Sequence, residues 1–406
     1  VTLTDRPTGD QFWLLAGLFT TAYGTNVSTP LLVLYQDRLG LGDGKTMTIF
    51  VSYVVGILLA LVVAGPLSDR IGRRAVCVPA LALAAGASSI LVFGRDELLL
   101  LVLGRALLGG ASGAFLGVGS AWMQELMGRG SELRAAALTT LTIYVGFGSG
   151  PMSTAVLERL FPAPLVVPLL VHVALVLTVV GGVAAVPETR RRVDRSTSAS
   201  TSTSTSTSTS TSTWTRVEFG IPAGPRRLFL LVVAPAAIWV FTLPSNSFAL
   251  FPVLLRDATE GYEVLVAGLS GALTAWSAIL SRPVLARLGS RRALPVAMAV
   301  GAAGLLLGAL SFASDQWPWL LPAAVLLGAS SGVVMTGGLA ITSEIAEEES
   351  RGALTSTFYV FAYAGMITPI VVTAIGDFSS TTTALLVLTV GAAATGALLS
   401  RTVRLV

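Results

Sequence analysis

The sequence predicts an all-α membrane protein with twelve transmembrane helices in two pseudo-symmetric six-helix bundles. Three observations predict it: an apolar composition, apolar runs of bilayer length, and motifs that recur at one fixed spacing. Of the 406 residues 53% are hydrophobic and only 12% charged. An ordinary soluble domain carries roughly a quarter charged residues, and a soluble chain of this size could not hide so much apolar surface in one or two cores.

The runs have the length that a bilayer demands, about 20 residues for a spanning helix. They fall at 11–36, 46–67, 75–93, 98–122, 135–157 and 164–186, and after a polar gap at 228–255, 263–281, 293–313, 317–343, 352–375 and 382–400. These are spans one to twelve below. The alternation of apolar and polar residues that marks a membrane barrel is missing from them.

Charge orients the spans. With the N-terminus in the cytoplasm, the cytoplasmic segments hold 20 of the 26 Lys+Arg, the external loops five, and one lies inside a span. The reverse orientation violates the positive-inside rule. Both termini are therefore expected in the cytoplasm. The net charge of +4 reports topology and gives no basic face for nucleic acid. One cysteine, Cys77, and one histidine, His172, leave no disulfide framework and no His- or Cys-based metal cluster. No cleavable signal peptide is expected from the first run, which is long and carries polar residues.

The pattern divides the chain into a bundle at 1–186, a linker at 187–227 and a bundle at 228–406. The linker opens Pro187-Glu188-Thr189-Arg190, and Ser and Thr then alternate from Ser196 to Thr213. Such a tract has no apolar face to bury and reads as a tether. The two bundles look like copies. Gly109-Gly110-Ala111-Ser112-Gly113 precedes Glu125 as Gly328-Ala329-Ser330-Ser331-Gly332 precedes Glu344, each 219 positions later. Arg70-Ile71-Gly72-Arg73-Arg74 recurs as Arg287-Leu288-Gly289-Ser290-Arg291, 217 positions on. Six-helix halves that both start in the cytoplasm are related by an axis along the membrane normal, which suits a cavity between rocking bundles.

The sharpest motif is Gly65-Pro66-Leu67-Ser68-Asp69-Arg70-Ile71-Gly72-Arg73-Arg74. Gly65 would permit close helix packing, Gly72 a tight turn, and Asp69 can face a helix N-terminus or an arginine. The motif closely resembles the signature loop between helices two and three of the major facilitator superfamily. Leu103-Gly104-Arg105 with Gly109 and Gly113 resembles that family's fourth-helix motif. Gly146-Phe147-Gly148-Ser149-Gly150-Pro151 resembles the fifth-helix motif of its drug–proton antiporter branch. Gly146 and Gly150 make a small-xxx-small face, and Pro151 removes a helical hydrogen bond. Two departures stand out: Ala286 replaces the aspartate in the second loop, and Thr154 and Ala155 stand where the antiporters continue with glycines.

The resemblance implies the major facilitator fold, with helices one, four, seven and ten lining the cavity. On those spans Asn26, Arg105, Ser112, Trp239 and Asn246 are the candidate cavity residues, and Asn26 is a candidate partner for Arg105. Gly65, Asp69, Arg70, Gly72, Arg73, Glu125 and Glu344 form the candidate cytoplasmic gate. In it Glu125 would pair with Arg70, Arg73 or Arg134, and Glu344 with Arg287 or Arg291. His172 reads as a satisfied structural histidine.

Export of a small amphipathic molecule by proton antiport is the leading expectation. The partners expected are that substrate, protons and the lipid bilayer, with no cofactor, and the protein is expected to work as a monomer in a bacterial cytoplasmic membrane. A symporter or facilitator for uptake, or a non-transporting membrane sensor, remain alternatives. No catalytic cluster and no phosphate-binding glycine loop with lysine argue for an enzyme. Replacing Ser196–Thr213 by a Gly/Ser segment of equal length is expected to leave flux nearly unchanged; a large loss of flux at normal membrane insertion would assign the tract a specific role.

Overall fold

The structure is a computed structural model that describes residues 7–128, 130–189, 226–346 and 351–402, without the side chains of 351–353. The linker tract from 190 to 225 lies outside the described residues. Everything regular among the described residues is helical.

Nine helical stretches are long and apolar enough to cross a bilayer among the described residues. One of them, Glu263–Ala313, has 51 residues and breaks at Gly289, where φ is 70° and ψ 157°, so it supplies spans eight and nine. Gly9–Val27 and Glu132–Leu160 complete the twelve as spans one and five. The others are Asp43–Ile71 (two), Arg73–Phe93 (three), Leu98–Met127 (four), Val167–Ala185 (six), Arg226–Leu254 (seven), Trp317–Ile345 (ten), Arg351–Ala364 continued by Thr368–Phe378 (eleven) and Thr381–Thr402 (twelve).

Local sequence sets the boundaries. Thr8 caps span one in a reciprocal arrangement with Gln11. Span one stops before Pro30 and resumes as the short helix Leu32–Leu39, which Gly40 ends in the left-handed conformation. Gly72, at φ 105°, makes the turn between spans two and three, as Gly289 does between eight and nine; the repeated loop thus keeps its one backbone requirement in both copies. Pro235, Pro244 and Pro252 interrupt span seven, whose turns widen at Phe229–Val233 and Asn246–Leu250.

The duplication is visible in how the helices touch. A Cβ on Gly109 would overlap the Tyr53 carbonyl oxygen in span two, and one on Gly328 would overlap that of Thr274 in span eight. Gly113 and Gly332 sit in the same way on the Ile57 and Ala278 carbonyls. Gly146 meets the Phe19 carbonyl in span one, and Gly365 that of Ile238 in span seven. Spans two and four, eight and ten, one and five, and seven and eleven are therefore in backbone contact, which only small residues allow. Serine and threonine hydroxyls add bonds to neighbouring carbonyls: Thr154 to Val27 at 2.7 Å, Ser330 to Ala297 and Ser331 to Val240 at 2.6 Å.

Gly109→Leu is expected to destabilise the detergent-purified protein by about 1–3 kcal/mol or more, since its side chain meets backbone that cannot yield. Gly117→Leu serves as the control, because a Cβ there meets nothing within 4 Å. Equal thermal midpoints for the two variants would show that the backbone contact contributes little.

Candidate functional site

Arg73 opens span three directly after the Gly72 turn. Its guanidinium pairs with Glu125 at 2.7 Å and Asp69 at 3.0 Å, and donates to Ser68 Oγ at 2.5 Å. In the second half Arg291 pairs with Glu344 at 2.9 Å. Of the alternatives in the sequence, Arg73 pairs with Glu125 and Arg291 with Glu344; both pairs stay within one half. Gly65 does not supply close packing here: a Cβ would meet nothing within 4 Å. Arg70 is exposed.

A third element joins this network from the end of span six. Gly72 provides no capping side chain for span three, and the Glu188 carboxylate takes its place by accepting from the Arg73 and Arg74 amides at 2.9 and 3.0 Å. Thr189 Oγ1 donates to Glu125 at 2.5 Å, and Trp122 Nε1 donates to the Pro187 carbonyl at 3.1 Å. Pro187-Glu188-Thr189 is thus pinned to spans three and four.

Arg105, a charge well inside span four, is 2% exposed. Its Nη1 donates to Thr25 O at 3.1 Å and Ser28 Oγ at 3.0 Å, both in span one. The rings of Tyr53 and Phe50 lie 5.3 and 5.7 Å from its guanidinium carbon. Asn26 is not its partner: helical rotation turns the Asn26 Nδ2 toward the Phe147 carbonyl in span five, at 3.5 Å.

The remaining candidates are mostly buried in helix contacts in this conformation. Ser112 bonds Thr25 Oγ1 at 3.0 Å and Leu108 O at 2.8 Å. Trp239 points at span twelve, donating to Thr395 Oγ1 at 3.0 Å. Asn246 is fully buried and donates to Thr242 O and Thr368 Oγ1 at 2.7 and 2.9 Å. Asn26 alone of the five is partly exposed. His172 is fully buried, with its Nδ1 2.7 Å from Ser88 Oγ and its ring seated over Gly24.

The halves meet along two seams. Span five meets span eight: Gly268 lies against the Pro151 carbonyl, where a Cβ would come within 2.6 Å, Gly271 faces the Pro151 ring, and Trp276 covers Gly148. The motif face Gly146 and Gly150 packs on span one, so span five uses small residues on both sides. Span two meets span eleven, with Phe50 on Phe248 of span seven beside it at 5.9 Å. At the end far from the linker, Arg256 pairs with Asp37 at 3.0 Å, and Arg159 lies 4.6 Å over the Tyr262 ring and donates to Gly261 O. In the loop at this far end, the hydrogen bond from Arg38 holds the Asp96 carboxyl below its ordinary range.

This architecture agrees with a family comparison in which the Major Facilitator Superfamily matches residues 14–292 and 245–405. The chain belongs to the Major Facilitator Superfamily. It is a membrane transporter rather than an enzyme. Its fold is similar to the POT family transporter PepTSo, with a TM-score of 0.76 at 12% identity over 98% of each chain. It is also similar to the nucleoside transporter NupG, with a TM-score of 0.73 at 12% identity, covering 97% of this chain and 100% of that one. A POT family transporter in complex with 5-aminolevulinic acid gives 0.73 at 10% identity, with 96% and 94% covered.

Sequence reasoning missed two aromatic groups, one on span five and one on spans seven and eleven. Tyr144 and Phe147 in span five have ring centroids 6.4 Å apart. Tyr363 stacks on Phe241 at 4.6 Å and on Tyr359 at 6.4 Å. All five are only partly buried. Their spacings of three and four residues on spans five and eleven were the available signal, but such spacing is common in helices that simply pack.

Gly268→Leu is expected to hold the facilitator's far end apart, because its side chain would occupy the place of Pro151. Distance distributions between spin labels at the far ends of spans five and eight should lengthen, and turnover should fall at least about tenfold, as for a blocked conformational step. Unchanged distances would remove the seam as the closing surface.

Proposed function

We propose that this transporter exports a small amphipathic molecule in exchange for protons, by alternating access between bundles at 1–186 and 228–406 joined by the linker 187–227. The observation that carries the reading is the seam of span five. The motif with the antiporter resemblance presents Gly146 and Gly150 to its own bundle and Gly148, Pro151 and Ala155 to the opposite one. Contacts between small apolar faces can part and re-form without stripping water from a charge, which suits two nearly balanced states.

The arginine distribution supports a cytoplasmic linker end, and the reading places the protein in a bacterial cytoplasmic membrane. With the far end joined by Arg256–Asp37 and Arg159–Tyr262, the conformation described is then inward-facing. Monomeric function fits a cavity formed between the halves of one chain. The gate residues Asp69, Arg70, Arg73, Glu125 and Glu344 would act by changing partners at that end during the cycle, with Gly65 and Gly72 shaping the backbone that carries them, and Arg105 by setting the potential of the cavity wall.

Uptake is the second reading. The interior of the spans has no carboxylate to carry a proton, and the fold neighbours include a nucleoside transporter and POT family transporters.

Flux in proteoliposomes with and without an imposed pH gradient tests the proposal. Antiport predicts substrate movement against its gradient when the substrate-receiving side is acidic, and loss of that coupling in Arg105→Ala at matched membrane levels. Arg105→Lys should rescue poorly, because a point charge cannot reproduce the guanidinium fork. Flux that ignores the pH gradient would select the facilitator reading.

A further inference from the structure

The gate uses Arg70 and Arg73 of the signature motif and leaves Arg74. Arg74 is exposed, and no carboxylate lies within ion-pair distance of its guanidinium among the described residues. Its Nη1 donates to the Ala184 carbonyl at the end of span six, at 3.2 Å, while Nε and Nη2 donate to nothing among the described residues. The guanidinium stands at a groove of about 750 Å³ between spans three and six, lined by Arg74, Ala75, Val78, Pro79, Ala184 and Glu188. No residue of the second bundle lines it. Ala75 and Pro79 are exposed, as is Ile71 at its edge, so the groove opens on the outer face of the first bundle. Arg74 to Pro79 cover about 8 Å of helix at 1.5 Å per residue. That is the depth over which a leaflet passes from headgroup to acyl chain.

The groove offers three kinds of contact. Its floor is apolar: Ala75, Val78, Pro79 and Ala184. Pro79 has no N–H, so the Ala75 carbonyl one turn earlier lacks its helical donor and can accept from elsewhere. Arg74 supplies free donors and a charge without an ion-pair partner. Glu188 also lines the groove, but its carboxylate already accepts from the Arg73 and Arg74 amides. A zwitterionic headgroup would bring an ammonium to a carboxylate already occupied, and would leave the charge of Arg74 unbalanced. The linker is a poor cover. Its sequence continues Arg190-Arg191-Arg192-Val193-Asp194-Arg195 and then Ser and Thr, which repels Arg74 and has almost nothing apolar to bury. A phosphodiester with net negative charge suits the guanidinium, and an acyl chain suits the floor.

We propose that this groove binds an anionic glycerophospholipid of the leaflet at the linker end. Its phosphate sits on Arg74, a headgroup hydroxyl on the Ala75 carbonyl, and an acyl chain along Val78 and Pro79. A lipid held there ties span three to span six beside the Glu188 anchorage. The site is independent of which substrate or coupling ion the transporter uses.

The test titrates the purified full-length protein with short-chain phosphatidylglycerol, phosphatidylethanolamine and phosphatidylcholine, and counts bound lipid by native mass spectrometry. Phosphatidylglycerol should bind about tenfold or more tightly than the other two, the ratio expected for one hydrogen-bonded charge. Arg74→Gln should erase that preference. Ala75→Trp, which fills the groove from an exposed position and keeps the arginine, should weaken phosphatidylglycerol by a similar factor. Arg282→Gln, at an exposed site near the linker end of span eight, should change nothing and so separates the groove from general attraction to anionic lipid. Monodisperse protein with an unchanged thermal midpoint in lipid-free detergent shows that each variant is folded. Equal binding of the three lipids overturns the proposal, as does a preference for phosphatidylethanolamine. A phosphatidylglycerol preference that survives Arg74→Gln, or that falls equally in Arg282→Gln, also overturns it.

Discussion

Everything in this fold depends on backbone-to-backbone approach at glycine. Lipid tails are as apolar as leucine side chains, so helices in a bilayer gain nothing from merely hiding apolar surface against each other. What holds them is close packing and the weak polar contacts that closeness allows. Gly109 and Gly113 bring span four onto span two, and Gly328 and Gly332 do the same for spans ten and eight. Gly146 and Gly365 repeat the device for spans five and eleven. The buried arginine takes its position from one of these contacts. Gly109 lies one helical turn beyond Arg105, and the approach it permits puts the Tyr53 ring against that guanidinium.

The repeat carried much of this in its spacing. The 219-residue offset between Gly109 and Gly328 is also the offset between Gly146 and Gly365, whose shared role the sequence alone did not disclose. Span lengths were legible because a bilayer fixes them, and the Gly72 and Gly289 turns because their motif fixes them. Helix rotation was not legible. One position separates Thr25, whose carbonyl holds Arg105, from Asn26, which faces Phe147 instead. A step of one residue turns a side chain by about 100°, and sequence without a partner helix does not say which way. Span seven adds to this, because it is widened in two places and its faces do not follow a regular helix; in this conformation Trp239 meets Thr395 and Asn246 meets Thr368.

Charge partners across the chain were legible only in part. Arg73–Glu125 and Arg291–Glu344 could be narrowed to a few choices because both motifs were duplicated. Glu188 could not, since no copy of it anchors span nine among the described residues. Its role follows from Gly72, which makes the turn and for that very reason cannot cap the helix that follows.

The anchorage of Pro187-Glu188-Thr189 also sets the mechanical load path of the molecule. A force drawn along the chain from the linker reaches Thr189 and Glu188 before it reaches span six. It is delivered to the first turn of span three and the last turn of span four. The tether therefore begins at the carboxylate of Glu188 rather than at the end of a helix, and relative movement of the bundles would tug on the junction that holds Arg73. A linker anchored in this way transmits strain as well as spanning distance.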